Sequence, residues 1–195
     1  TDAGRARPTE ETAMARIDES RPFIPVRIAV LTVSDTRTLD DDKSGNTLCE
    51  LIAAADHQLS SRSIVKDDIR AIRSTMRKWL KREDTDAIIT TGGTGLTGRD
   101  VTIEAVRPLL DKEAEGFAIA FHMMSWQKIG TSTVQSRATA GVGSGKYVFC
   151  LPGSPGACKD GWNEILVKQL DYRHMPCNFV EIMPRLDEHL QRTKG

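Results

Sequence analysis

The stretch Asp86-Ala-Ile-Ile-Thr-Thr-Gly-Gly-Thr-Gly-Leu-Thr-Gly-Arg-Asp100 constrains this chain more than any other, because a short apolar run empties into a glycine-rich loop that ends on an acid. Ala87-Ile88-Ile89 is short, β-branched and bounded by polar residues, the mark of a buried strand. Gly92, Gly93 and Gly95 admit positive φ and let backbone N–H groups turn toward a ligand with no Cβ in the way. Thr102 is placed to cap a helix through Ile103-Glu104-Ala105-Val106, and a helix start adds free N–H groups and the positive end of its dipole. A bare strand-to-helix turn needs fewer glycines than this and no terminal carboxylate. The composition of the loop therefore favours an anion site.

With 195 residues and a hydrophobic fraction of 39%, the chain is expected to form one domain with a substantial core. Lys plus Arg and Asp plus Glu each total 27, so the formal net charge is zero and no global field draws the protein to nucleic acid or an anionic membrane. No apolar run approaches the length of a membrane span, and the N-terminus lacks the basic-then-apolar order of a secretory signal. A soluble, cytoplasmic protein is expected. Cys49, Cys150, Cys158 and Cys177 form no C-x-x-C pair, which points to buried thiols rather than a disulfide framework or a zinc site.

Residues 1–25 are rich in Arg, Glu, Thr and Pro and read as a flexible N-terminal arm, with the body of the domain over 26–183 and a C-terminal tail over 184–195. Val26 to Val33 reads as a central strand, apolar on both faces, as in a parallel sheet covered by helices. It exits into Ser34-Asp35-Thr36-Arg37 and the acidic loop Asp40 to Gly45, a charge run that is usually solvated surface. Helical spacing predicts a helix from near Ser44 to Asp56 and an amphipathic one from Asp67 or Asp68, either of which can be its N-cap, with a strand at about Leu59 to Val65 between them. Further helices are expected near residues 102–112 and from Phe117 to Trp126, the latter a core or subunit contact. Gly130 to Arg137 gathers hydroxyls and a guanidinium suited to capping or to a polar ligand.

Ala138 to Val142 and Tyr147 to Leu151 then read as a β-hairpin. Gly143-Ser-Gly-Lys146 looks like the end of a P-loop, but Ala140 stands where that motif needs glycine and Tyr147 where it needs Ser or Thr. Leu151-Pro152-Gly153-Ser154 is a second glycine-bearing strand exit. It suits either a second phosphate or ribose, or a Pro-Gly turn with Ser154 as a helix cap.

This order predicts an α/β fold: a three-layer αβα arrangement with a doubly wound, mostly parallel sheet and an antiparallel β-hairpin edge. Parallel strands put Ser34, Asp42, Asp67, the Gly92 to Gly95 loop, Asp100 and Pro152 to Ser154 on one rim, where open α/β sheets bind ligands. No dinucleotide fingerprint follows the first strand. Backbone donors suit phosphate oxygens, and carboxylates without His or Cys partners suit a hard cation such as Mg²⁺ shared with those phosphates. No nucleophile is evident, so the rim fits transfer between two bound substrates.

Thr32-Val-Ser-Asp35, Asp42-Lys-Ser-Gly45, Thr91-Gly-Gly-Thr-Gly95, Arg99-Asp-Val-Thr102, Glu115-Gly-Phe117, Gln135-Ser-Arg-Ala138 and Leu151-Pro-Gly-Ser154 stand in the order found in the MoaB and MogA proteins of molybdenum cofactor biosynthesis. The chain resembles that family over about residues 26–183, and Ile129 to Ala138 with Pro176-Cys-Asn-Phe179 resembles MoaB more than MogA. The resemblance implies adenylyl transfer from Mg-ATP to molybdopterin with release of pyrophosphate. It implies Asp67 and Asp100 as catalytic, metal-binding acids. It implies Gly92, Gly93, Thr94, Gly95, Pro152, Gly153 and Ser154 as nucleotide contacts, and Ser34, Asp42, Thr94 and Ser136 as pterin contacts. A homo-oligomer, trimer or hexamer, and a molybdenum insertase as partner are implied as well. The chain departs from the family in reading Val65-Lys66-Asp67, where a proline more often precedes the acid. A pterin- or nucleotide-binding MoaB paralogue without turnover is the alternative. MoeA and CinA relatives fit less well in length or glycine-loop pattern.

Overall fold

The computed structural model describes residues 16–188. In chain order the elements are β1 (Arg16–Ile17), β2 (Arg27–Val33), α1 (Lys43–Ala54), β3 (Gln58–Val65), α2 (Ile69–Leu80), β4 (Ala87–Thr91), α3 (Thr102–Val106), β5 (Lys112–Glu113), α4 (Glu115–Ile129), β6 (Thr139–Gly143), β7 (Lys146–Leu151), α5 (Pro155–Gly161), α6 (Val167–Gln169), β8 (His174–Met175) and α7 (Phe179–Ile182). The main sheet runs β3-β2-β4-β7-β6-β5. Its first four strands are mutually parallel, while β6 and β5 are added antiparallel. Among the described residues, no helix is long and apolar enough to cross a membrane.

The three layers follow from the period of two along each strand. In β2, Ile28 and Val30 face a core shared with Leu48 and Ile52 of α1, Phe117 and Phe121 of α4, and Trp162 and Leu166. Ala29, Leu31 and Val33 face the opposite core, built with Ile72, Met76 and Trp79 of α2 and Ala105 and Val106 of α3. Because β2 and β4 are covered on both sides, they carry unbroken apolar runs. Each fully buried aliphatic side chain such as Ile88 or Ile89 adds about 1.5–3 kcal/mol. Side-chain caps set the helix starts: Asp42 accepts from the Gly45 N–H, Asp68 from Ala71 and Ser154 from Ala157.

Several expectations need correction. The helix expected over 102–112 is a five-residue α3 followed by a tighter turn over Arg107–Leu109 and then β5. Pro108 interrupts the backbone ladder there, and the two-residue β5 adds one more antiparallel strand outside the expected β6–β7 hairpin. Thr102 does not cap α3. It is the first helical residue, and its hydroxyl is used elsewhere.

The arm expected to be flexible over 1–25 is docked from Arg16 onward. β1 pairs with β8, Arg21 lies over the Tyr172 ring, and Phe23 sits between His57 and the Arg173 guanidinium. Residues 1–15 of that arm lie outside the described residues. In the tail, Leu186 packs on the core and residues 189–195 lie outside the described set. Of the cysteines, Cys150 and Cys158 are buried as expected, Cys49 is half-buried, and Cys177 is exposed.

Candidate active site

The C-terminal ends of β2, β3, β4 and β7 form one rim. Backbone bonds tie them to one another: Ser34 N–H donates to Val65 O at 2.9 Å, and Gly92 N–H to Leu151 O at 3.2 Å. The Thr91 hydroxyl donates to Pro152 O at 3.0 Å, so the two glycine-bearing exits are bound side by side. Two adjoining clefts open on this rim and share Ser34. The first, about 150 Å³, is lined by Ser34, Arg37, Asp42 and Lys43 on one side and by Gly92, Gly153 and Pro155 on the other. The second, about 130 Å³, is lined by Asp35, Asp67 and Asp100 with Thr97 and Arg99.

The Gly92 to Gly95 loop is held open from behind. Gly92 and Gly93 have φ of 94° and 62°, which an L side chain rarely adopts. A Cβ on Gly93 would come within 2.6 Å of Asp67 Oδ1, so the absent side chain lets the β3 exit approach the loop. The Gly92 carbonyl accepts the Thr102 hydroxyl at 2.8 Å, and the Gly93 carbonyl accepts the Thr102 N–H at 2.9 Å. Next along, the Arg137 Nε–H donates to Thr94 O at 2.7 Å and to Gly95 O at 3.1 Å. The Gly93 and Thr94 N–H groups meet no protein acceptor among the described residues. Backbone donors so arranged are suited to phosphate oxygens.

The acids are tuned in opposite directions. Asp100 Oδ2 accepts the Thr97 hydroxyl at 2.6 Å and the Thr97 N–H at 2.9 Å. Those bonds, with the Gly95 N–H and the Arg137 charge, hold its carboxyl below the ordinary aspartate range. Asp67 is pushed up, first by burial and then by the charges of Asp35 and Asp100, against a weaker pull from Arg99. Asp68, not Asp67, caps α2, so the Asp67 carboxylate is spared for the cleft.

A carboxylate crowded by two others is a place where a cation would relieve repulsion. Among the described residues, no group of three or more His, Cys, Asp and Glu side chains forms a metal cage. Asp67 and Asp100 line one cleft, and two carboxylates so placed could supply part of the ligand set of a hard cation, the rest coming from phosphate oxygens and water.

Other expected contacts turn out to be structural in part. Asp42 is only 1% exposed, and its carboxylate accepts the Thr32 hydroxyl at 2.6 Å and the Gly45 N–H at 2.9 Å, with Arg62 Nη2 at 3.3 Å. It lines the first cleft, but most of its acceptor capacity is already used. Ser154 Oγ accepts the Ala157 N–H at 3.1 Å as the α5 cap. Of the expected nucleotide and pterin contacts, Gly92, Gly153, Ser34 and Asp42 line the first cleft, whereas Gly93, Thr94, Gly95, Pro152, Ser154 and Ser136 line neither. Lys43 and Asp35 were not singled out from sequence. Asp35 was findable, since it is an acid at a strand exit like Asp67, but Lys43 sits in a charge run that reads as ordinary surface.

Residues 29–172 match the family model described as "Probable molybdopterin binding domain". The molybdenum cofactor biosynthesis protein B of Escherichia coli (strain K12) is 47% identical over 160 residues, covering 82% of this chain and 94% of that protein. A crystal structure of a molybdenum cofactor biosynthesis protein B superposes with a TM-score of 0.78 at 41% identity, over 86% of this chain and 99% of that one. The tungsten cofactor synthesizing protein MoaB from Pyrococcus furiosus gives a TM-score of 0.66 at 37% identity, over 74% and 92%. The rim described above thus belongs to a known architecture, and the chain is a member of the molybdopterin-binding family of molybdenum cofactor biosynthesis proteins, on its MoaB branch.

Proposed function

We propose that the protein acts in molybdenum cofactor biosynthesis by Mg-ATP-dependent adenylylation of molybdopterin. In this reaction the terminal phosphate of molybdopterin attacks the α-phosphate of ATP, the bond to the β-phosphate breaks, and pyrophosphate leaves. The observation that carries the reading is the pair of clefts sharing Ser34. One is bordered by Arg37, Lys43 and the two glycine-bearing exits, and the other by Asp67 and Asp100. A cleft bordered by basic side chains thus meets an acidic one at a single residue, the neighbourhood that a phosphate and the cation beside it would need.

Each group then has a task that its environment supports. Free N–H groups of the glycine loop hold phosphate oxygens in place, and Arg37 and Lys43 offset the charge of an incoming phosphate. Asp100, kept ionised by Thr97, and Asp67 would hold Mg²⁺, which when bound neutralises phosphate charge and makes the α-phosphorus more electrophilic. Cys158 is the thiol nearest the second exit, and burial pushes it up to about 11, so it stays protonated and inert.

The competing reading is binding without turnover, favoured by Lys66 standing before the acid where the family more often has proline. Incubating the purified protein with molybdopterin, ATP and Mg²⁺ and following pyrophosphate separates the two. Product at a rate proportional to protein supports the enzyme, and none with active substrate leaves only binding.

The same proposal includes self-association into a trimer or hexamer and a cytoplasmic setting, with a molybdenum insertase receiving the product. Support for association comes from α4, where Met123 is 64% exposed and Trp126 54%, beside Ile119 and Ile129. Such a cluster is more apolar than a solvated helix face requires. Light scattering on the purified protein gives the mass directly.

A further inference from the structure

We propose that Arg137 is a positioning residue that holds the turn from Thr94 to Asp100 in shape, and with it the Gly95 N–H on the Asp100 carboxylate, without itself touching substrate; the substrate assignment rests on the reading above. In a planar trans peptide the carbonyl and the following N–H point to opposite sides. Pinning a carbonyl behind the loop therefore directs the next N–H in front of it. Thr102 pins the carbonyls of Gly92 and Gly93, which directs the N–H groups of Gly93 and Thr94. Arg137 pins Thr94 and Gly95 through one three-centre bond from Nε, which turns the Gly95 N–H to the Asp100 carboxylate that it bonds and orients the Leu96 N–H beyond it.

The guanidinium is committed on its other edges too. Nη1 and Nη2 both reach the Glu104 carboxylate, the latter at 3.2 Å, and Nη2 also approaches Asp100 O at 3.4 Å. Glu104 is on α3, and the α3 backbone is held in turn by Arg73 of α2, whose Nε and Nη2 donate to Ala105 O and Glu104 O at 3.0 Å each. The helix that begins beside Asp67 is thereby linked to the loop that ends on Asp100.

Only a planar fork of donors fits this arrangement. A lysine ammonium has no second edge with which to engage Glu104 while it serves the loop carbonyls. The guanidinium that the sequence left open to capping or to a ligand is thus used up inside the protein.

The test uses the full chain and two readouts. Amide hydrogen exchange of Gly93 to Leu96 in the ligand-free protein reports loop order directly. Calorimetric titration with Mg-ATP, and separately with molybdopterin, reports the consequence. Arg137→Ala is expected to speed exchange at Gly95 and Leu96 and to weaken Mg-ATP binding by about 10- to 100-fold, the worth of lost charge-assisted bonds. Pterin affinity should fall less, because Ser34 and Asp42, the expected pterin contacts that line the first cleft, are held by Val65 and Thr32 rather than by Arg137. Arg137→Lys should recover only part of the loss, and Glu104→Gln, which leaves the guanidinium in place, should show a smaller effect of the same kind. It also serves if Arg137→Ala fails to fold.

If exchange and Mg-ATP affinity are both unchanged in a folded variant, the clamp is overturned. A uniform loss of both ligands and of thermal stability contradicts it as well, because that is the signature of a merely structural residue. If the wild-type protein binds no Mg-ATP while loop exchange still rises in the variants, the positioning role stands and the adenylyl-transfer reading falls.

Discussion

The two glycine-bearing strand exits, Gly92 to Asp100 after β4 and Pro152 to Ser154 after β7, are alike in composition and placed side by side, but they are built for different ends. At the first exit the carbonyls of Gly92 through Gly95 are tied behind the loop by Thr102 and Arg137, while Gly93 and Thr94 keep unpaired N–H groups. At the second, Ser154 caps α5 and Pro155 opens it, so the hydroxyl is committed to the helix and the exit offers the first cleft only Gly153 and Pro155. Gly153 is there for close approach, since a Cβ would come to 3.0 Å from Gly92 Cα. The comparison teaches that glycine, serine and threonine after a strand identify a cradle only when the direction of the carbonyls is known.

Substitutions can break or sharpen that contrast. Asp67→Asn should cut turnover by roughly 100-fold or more, the scale of losing one charged group at a transition state. It should leave the melting temperature equal or higher. Burial and the neighbouring acids raise the Asp67 pKa from 3.8, so the folded state disfavours the ionised form, and its stability declines as pH rises through the raised value. A lower melting temperature with intact turnover would mean that Asp67 is a structural acid.

Gly92→Ala forces an L side chain to φ of 94° with its Cβ against the Val33 carbonyl, and should cost about 2–3 kcal/mol in urea unfolding. Nucleotide affinity should fall with it. Ser154→Ala should cost about 1 kcal/mol through the lost cap, yet leave Mg-ATP affinity within about twofold. A large affinity loss there would make the second exit a ligand site in its own right. Smallest is Gly156→Ala in α5, where an added Cβ meets nothing within 4 Å and φ is ordinary. A gain of about 0.5–1 kcal/mol is expected from helix propensity, and no change in binding.

Much of this was legible in the residues. The buried strands, the helix phases of α1 and α2, the parallel rim and the role of Ser34 as a strand exit follow from periodicity and turn chemistry, and the motifs in order led to the family that the comparisons show. Less legible was anything decided by long-range partners. Thr102 reads as a cap from local sequence, but its hydroxyl finds the Gly92 carbonyl across the loop. Residues 16–25 lack apolar periodicity, yet two-residue pairing with β8 and stacking on Phe23 and Tyr172 fasten them, and neither has a local signature. Asp42 reads as part of a solvated acidic run, whereas Thr32, Gly45 and Arg62 draw it inside. Arg137 stands 42 residues from the carbonyl of Gly95 that it holds. No spacing rule reaches that far.

The most direct measurement pairs Mg-ATP binding with pyrophosphate release in the presence of molybdopterin, for the wild type and Asp100→Asn. The asparagine keeps the shape of the loop end but removes the charge that Thr97 and Arg137 stabilise. Nucleotide binding retained within about threefold, with turnover reduced by about 100-fold or more, is the predicted result. Undiminished turnover in Asp100→Asn would contradict the assignment of the β4 exit as the catalytic half of the site.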